Sequence, residues 1–280
     1  MFLSSCRKAV DTFAPPLGRS YRLLRDATHR RRSLPTKYGF SLAGDPSMVK
    51  DDWEQEEIHT FLQLIEDHDV VLDIGANMGF YSCLAAVHGK HTIAFEPSSR
   101  NLKFLYKNLW QNKVLDVEVF PVGLARQCGL GRIYGYGGIA SFVPGWAQST
   151  NSQSCLVPLT TLDTIVAGRF HCKKLLIKMD VEGFELDVLA GAAETLRRDP
   201  KPVWMIEILL RDDVIPGGWS RNFADTFETF WSHGYRCTML DAAQTPVGPK
   251  DVRRWMLNGV VDSQTHDFLF SADGQNCQSL

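Results

Sequence analysis

The chain has 280 residues, 44% of them hydrophobic and 22% charged, the balance of one large or two small globular domains rather than of a disordered, collagen-like or coiled-coil chain. No stretch nears the roughly 18 apolar residues of a membrane span, and Arg7 and Lys8 interrupt the start before a signal-peptide core develops. Met1 to Tyr38 holds nine Lys/Arg against two Asp, a balance of +7, so with a total of -2 the remainder carries -9, an acidic body ill suited to nucleic acid.

The first 50 residues read as a basic N-terminal extension. Val10, Phe13, Leu17, Tyr21 and Leu24 fall at loosely helical spacing before His29-Arg30-Arg31-Arg32. Such an arm suits either peripheral contact with an anionic membrane or a solvated helix resting on the acidic body. Seven cysteines, an odd number with no C-x-x-C and no zinc spacing, fit free thiols in a reducing, cytoplasmic setting.

From residue 51 to 270 the pattern is that of a single α/β domain. Trp53–Glu66 is helical, with Ile58, Phe61, Leu62 and Ile65 on one face. Short apolar runs then alternate with helical periods, the mark of a mostly parallel sheet wrapped by helices. Strands are expected at Val70–Ile74, His91–Phe95, Val117–Pro121, Leu175–Met179, Val203–Ile208, Tyr235–Leu240 and His266–Phe270. Helices are expected at Phe80–His88, Arg100–Asn112, Glu185–Arg198 and Phe223–His233. Between residues 124 and 159 the period dissolves into glycines and aromatics, including Tyr136, Phe142 and Trp146, which suggests a loop or hairpin over a pocket. Residues 271 to 280 read as a frayed tail.

The chemistry concentrates where strands end. Val70-Val71-Leu72-Asp73-Ile74-Gly75-Ala76-Asn77-Met78-Gly79 is a strand, a glycine turn and a helix start, a place where backbone N–H groups meet a nucleotide-like cofactor. A dinucleotide fingerprint wants G-x-G-x-x-G. Here Asn77 stands where open backbone should be, and Asp73 would set a negative charge beside a pyrophosphate. The same carboxylate favours the sulfonium and ammonium of S-adenosyl-L-methionine. Glu96, followed by Pro97, ends the next strand 23 residues after Asp73, where a carboxylate can accept both ribose hydroxyls.

These segments, with Thr161-Leu162-Asp163, the block from Ile177 to Ala192 containing Lys178-Met179-Asp180-Val181-Glu182-Gly183-Phe184-Glu185, and Pro202-Val203-Trp204-Met205-Ile206-Glu207, occur in an order that resembles the FkbM family of S-adenosylmethionine-dependent methyltransferases. The resemblance implies a class I methyltransferase fold, a Rossmann-like doubly wound sheet of about seven strands with the last antiparallel. It also implies O-methylation of a hydroxyl on a sugar, polyketide or related metabolite.

Read from the residues themselves, Lys178 and Asp180 leave one strand on the same side, at the edge where open α/β sheets bind ligands. A hydroxyl acceptor must lose its proton. Asp180 is the first candidate base, with Glu182 and Glu207 next and Lys178 as their counter-charge. Asp73, Gly75, Ala76, Asn77 and Gly79 would hold the methionine end, and Glu96 with Pro97 the ribose. Three converging acids would also suit Mg²⁺, although Lys178 or the cofactor's charge could relieve their repulsion equally well. Trp146 is a candidate wall for a small-molecule or glycan acceptor. Three other readings stand beside this one: a non-catalytic partner-binding module on the same fold, an N-methyltransferase, and a nicotinamide-dependent dehydrogenase.

Overall fold

The computed structural model describes residues 33–272 except 51, 136, 167, 211–213 and 264. The apolar and arginine-rich part of the basic arm, the C-terminal tail from residue 273 and Tyr136 of the insertion lie outside the described residues.

The chain divides after Trp53. In the first unit β1 (Ser33–Pro35) and β2 (Ser41–Ala43) pair antiparallel, Leu34 opposite Leu42, and a 3-10 turn spans Pro46–Val49.

The second unit begins with α1 (Gln55–Glu66), which buries Ile58, Phe61, Leu64 and Ile65. Chain order then gives β3 (Val70–Ile74), α2 (Phe80–Val87), β4 (His91–Phe95), α3 (Ser99–Gln111) and β5 (Glu118–Phe120). After the insertion come β9 (Leu175–Met179), α5 (Glu185–Ala190), α6 (Ala193–Leu196) and β10 (Val203–Glu207). The chain closes with α7 (Phe223–Ser232), β11 (Arg236–Met239), β12 (Pro246–Val247), α8 (Pro249–Asn258) and β13 (Asp267–Ser271). One sheet runs in the order β12-β11-β13-β10-β9-β3-β4-β5. Its members include all seven strands expected from sequence, and β13 runs antiparallel to both of its neighbours. The eighth, two-residue β12 pairs with the edge of β11. Every side chain of β3 and β9 is buried, which explains their continuous apolar runs: in a parallel sheet covered on both faces the two-residue alternation disappears.

The insertion is ordered. The segment β6 (Gly123–Leu124), β7 (Gly129–Tyr134) and β8 (Ser154–Thr160) forms a second sheet in the order β6-β8-β7, followed by α4 (Leu162–Val166). One helical expectation needs correction. The helix expected over residues 185–198 is two helices interrupted at Gly191, where a Cβ would collide with the Ala125 carbonyl oxygen and where Asp163 N donates to Gly191 O at 3.1 Å. Helix α8, not expected, buries little beyond Val252 and Trp255, too few apolar positions to show a period. Its ends are nevertheless marked: Asp251 accepts from Gly248 N at 3.0 Å, and Gly259 closes the helix at φ 70°.

Helix α7 carries the core on the β11 side. Phe230 stacks on Phe270 at 4.0 Å between ring centroids, and Phe227 meets Phe268 edge-on at 4.9 Å. Phe230 is fully buried, so Phe230→Ala should cost about 3–5 kcal/mol in a urea unfolding series. A loss below about 1 kcal/mol would show that this end of the sheet does not support the rest.

Candidate active site

The carboxyl ends of β3, β4 and β9 are tied by backbone hydrogen bonds. Gly75 N and Ala76 N both donate to Phe95 O at 3.0 Å, and Asp180 N donates to Ile74 O at 3.0 Å. Gly75 sits at φ +81°, and a Cβ on it would collide with the Asp180 carbonyl oxygen, so glycine alone permits this approach. Gly79, at φ +86°, lies against Leu105 of α3 and precedes α2. Asn77 is left-handed at φ 50°, a conformation asparagine tolerates better than most residues.

Between these loops and the insertion lies a cavity. Gly75, Asn77, Glu96, Pro97, Asp180 and Glu182 line it, together with Asn101 of α3 and Gly137, Gly138 and Phe142 of the insertion. Glu96 accepts from Asn77 N at 2.8 Å and from Ser98 N at 2.7 Å. Burial pushes its carboxyl up to about 7 despite these donors and the Asn101 amide. The Oδ1 atoms of Asn77 and Asn101 are buried with no hydrogen-bond partner, two orphaned acceptors beside the cavity. Asn101 Nδ2 donates to Gly137 O at 3.2 Å, which draws the insertion to the rim.

Asp73, expected beside the methionine end, does not line this cavity. It is buried at 2% exposure and accepts from Ser82 Oγ of α2 at 2.5 Å; burial raises its carboxyl to about 6. Ala76 and Gly79 likewise shape the turn from outside the lining.

The acids converge on one flank. Asp180, Glu182 and Glu207 each place a carboxylate oxygen within 4.8 Å of the others. Lys178 Nζ, itself buried, lies 3.3 Å from Asp180 Oδ2 and 5.2 Å from the Tyr81 ring centroid. Burial alone would lower the Lys178 pKa, yet Asp180, Glu54, Asp267 and Glu207 surround it and hold it above the ordinary lysine value. Burial and the nearby Asp180 push Glu182 up to about 8, and burial followed by Asp180 and Asp267 raises Glu207. Asp267, opposite Glu207 on β13, rises through burial to about 7. Glu54 accepts from Tyr81 OH at 2.7 Å.

The insertion holds Glu182. Trp146 Nε1 donates to Glu182 Oε2 at 2.8 Å, and Ser141 Oγ donates to Glu182 O at 2.6 Å. Glu182 is left-handed at φ 55°, and the indole covers Gly183 so closely that a Cβ there would overlap the ring. Trp146, expected at the wall of the acceptor space, is therefore buried behind Glu182 and does not line the cavity. Sequence reasoning passed over Asn101, Glu54 and Asp267. Only Asn101 carried a usable signal, a polar residue in the first turn of a helix that starts beside Glu96.

A mostly parallel sheet with the antiparallel β13 set between β10 and β11, and a glycine turn at its carboxyl edge, defines a class I methyltransferase fold. The chain belongs to the FkbM family: the Methyltransferase FkbM domain matches residues 73–237. A curated relative, the hexuronic acid methyltransferase AglP of Haloferax volcanii, is 27% identical over 150 residues; the match covers 51% of this chain and 58% of that protein, so the chain spans little more than half the length of this relative. Among solved structures, precorrin-6y C5,15-methyltransferase from Geobacter metallireducens aligns at TM-score 0.42 and 12% identity, over 82% of this chain and 91% of that one. The bifunctional kinase-methyltransferase WbdD aligns at TM-score 0.45 and 14% identity, over 89% and 46%. Among the described residues no helix is long and apolar enough to cross a membrane, and the five described cysteines are free.

Two tests follow from the geometry. Gly75→Ala should lower the melting temperature and abolish ligand binding, since the left-handed conformation alone costs about 1–3 kcal/mol and the added methyl meets backbone that cannot swing aside; a variant with wild-type melting would refute the close approach. Folding raises the Glu96 carboxyl from 4.5 to about 7, so its ionisation opposes folding and stability drains as pH rises between those values. Glu96→Gln should flatten the decline in melting temperature of the ligand-free protein between about pH 5 and pH 8, and calorimetry at the two pH values reads the difference.

Proposed function

We propose that the protein transfers a methyl group from S-adenosyl-L-methionine to a hydroxyl of a sugar or glycan-like acceptor. The observation that carries the reading is the shared cavity: a glycine turn, the Glu96 carboxylate and the acids after β9 open onto one space. A positively charged nucleoside fits that space better than a pyrophosphate, because Glu96, Asp180 and Glu182 all line it. The sugar acceptor rests on the relative named for a hexuronic acid.

The residues present suit the cofactor. Glu96 would accept from the ribose hydroxyls, and the orphaned amide oxygens of Asn77 and Asn101 would supply further acceptors. Gly75, with Asn77 beside it, leaves room for the methionine end, while Ala76 and Gly79 fix the turn, Pro97 closes the cavity after Glu96, and Asp73 holds the start of α2 through Ser82. When bound, S-adenosylmethionine supplies a methyl on a sulfonium, from which the carbon–sulfur electron pair leaves as a neutral thioether when the hydroxyl oxygen attacks. Most of the acceleration comes from holding the two reactants in line. Asp180, on the cavity and ion-paired to Lys178, would accept the hydroxyl proton, which would end on its carboxylate. Glu182 and Glu207 complete the acidic flank.

Isothermal titration with S-adenosylhomocysteine tests the assignment. Saturable binding is expected, weakened by about 1–3 kcal/mol in Glu96→Ala. Binding should also tighten as pH rises through the Glu96 value of about 7, because only the carboxylate accepts both hydroxyls. Absence of binding at high micromolar ligand would dispose of the proposal. A labelled-methyl assay on neutral and acidic saccharides then reads the acceptor, and Asp180→Asn should lower turnover by about 10²–10⁴-fold while leaving S-adenosylhomocysteine affinity nearly unchanged.

A further inference from the structure

Helix α3 turns two very different faces inward and outward. Phe104, Leu105 and Leu109 are buried against the core, as an amphipathic helix requires. Positions 103, 106, 107 and 110 follow the i, i+3, i+4, i+7 spacing of one helical face, and they hold Lys103, Tyr106, Lys107 and Trp110. Trp110 is 73% exposed and Tyr106 50%, although tryptophan is on average a highly buried residue. Lys113 and Leu115, just past the helix end, are exposed as well. From Ser99 to Leu115 the chain carries Arg100, Lys103, Lys107 and Lys113 and no Asp or Glu. A basic, aromatic face thus stands on a body whose residues after Tyr38 sum to -9.

The composition of the face selects its partner. Protein–protein interfaces are enriched in tyrosine and tryptophan but depleted in lysine. Stacked aromatics that track a nucleic-acid strand lie in a charged groove, whereas α3 is a convex helix. Tryptophan and tyrosine beside lysine is the combination found where protein meets lipid headgroups, the rings settling at headgroup level while lysine stems lie along the apolar boundary and keep their ammonium groups wet. We infer that the outward face of α3 is a contact for an anionic lipid surface, with Trp110 and Tyr106 entering the headgroup layer and Lys103 and Lys107 meeting its negative charge. An anionic surface repels the acidic remainder of the body, which turns this face towards it. Residues 103 to 110 span about 10 Å of helix, enough to lay α3 along the surface. Asn101, which lines the cavity, belongs to the first turn of the same helix, so the cavity lies beside the lipid and suits an acceptor carried on one. That last consequence rests on the methyl-transfer reading; the contact itself does not.

The test uses the full-length protein with vesicles of phosphatidylcholine containing about 30% phosphatidylserine, against vesicles of phosphatidylcholine alone, at physiological ionic strength. Co-sedimentation should show saturable binding at least about tenfold stronger to the anionic vesicles. The double variant Lys103→Glu/Trp110→Ser should weaken that binding at least about tenfold with an unchanged melting temperature, because both side chains are exposed. The basic arm is present in wild type and variant alike, so equal binding by the two would assign the attraction to the arm and overturn the role of α3. Depth is read separately in the conservative Trp110→Phe: lipids brominated near the headgroup should quench the tryptophan fluorescence of the wild type more than that of the variant, and equal quenching would overturn the insertion of Trp110. A protein that ignores both kinds of vesicle, or that binds single-stranded oligouridylate through Lys103 and Trp110 in their place, removes the lipid surface as the partner.

Discussion

One backbone approach organises the site: the Gly75 Cα against the Asp180 carbonyl, sealed by Asp180 N donating to Ile74 O at 3.0 Å. Strands β3 and β9 are parallel neighbours, so their following loops leave the sheet side by side and compete for the same space. Removing one Cβ lets them pass in contact. Asp180 and Glu182 then lie on the cavity that the glycine turn opens, with Glu96 arriving from β4 on the other side of β3. Any side chain at position 75 would force the loops apart and separate Glu96 from the acids after β9.

The same crowding concentrates charge where water is scarce. Isolated buried carboxylates cost several kcal/mol each, and here burial is the largest influence on Glu96, Glu182, Glu207 and Asp267, raising every one of them. Their ionisation works against folding as pH rises, so the cluster opposes stability at neutral pH and persists because the surrounding structure over-determines it. Glu182 shows how. A left-handed non-glycine residue costs about 1–3 kcal/mol, and the insertion holds it there with two hydrogen bonds and the indole of Trp146 seated on Gly183. The glycine-rich insertion is therefore a clamp on the acidic loop as well as a cover for the cavity.

What the sequence discloses follows the range of the interactions involved. The strands of the central sheet are legible because burial on both faces leaves unbroken apolar runs, and β3, β4 and β9 begin and end where those runs do. The glycine turn is legible because its conformation is set within a few residues. Asp73 reads from sequence as a ligand, since strand alternation alone does not say which face meets the cavity; in the structure its carboxylate accepts from Ser82 on α2 and does not line the cavity. Trp146 and Glu182 are separated by 36 positions, and nothing local in either segment announces the bond. Glu54 and Asp267 join the cluster only through packing of α1 and β13 around Lys178. The break at Gly191 belongs to the same class, because its cause is a carbonyl from the loop before β7.

The arrangement bears on what kind of catalysis the fold can supply. Methyl transfer to a hydroxyl consumes a sulfonium charge, so a fixed negative field holds the cationic reactant more strongly than the transition state that follows. Such a field improves binding without lowering the barrier, and only interactions that grow during the reaction accelerate it. The acceleration must then come from in-line positioning and from a group whose attraction for the departing proton increases as the carbon–oxygen bond forms. On the proposed reading Asp180 would meet that requirement by position: it is on the cavity, tied to Lys178 through one oxygen and unpartnered at the other. Lys178 cannot itself accept the proton, because the surrounding acids hold it in its charged form. Its buried ammonium instead keeps the carboxylate oriented and offsets the repulsion of Glu207 and Glu182. The cost to stability of the acidic flank and the capacity to receive a proton at its centre are two consequences of one placement of charge.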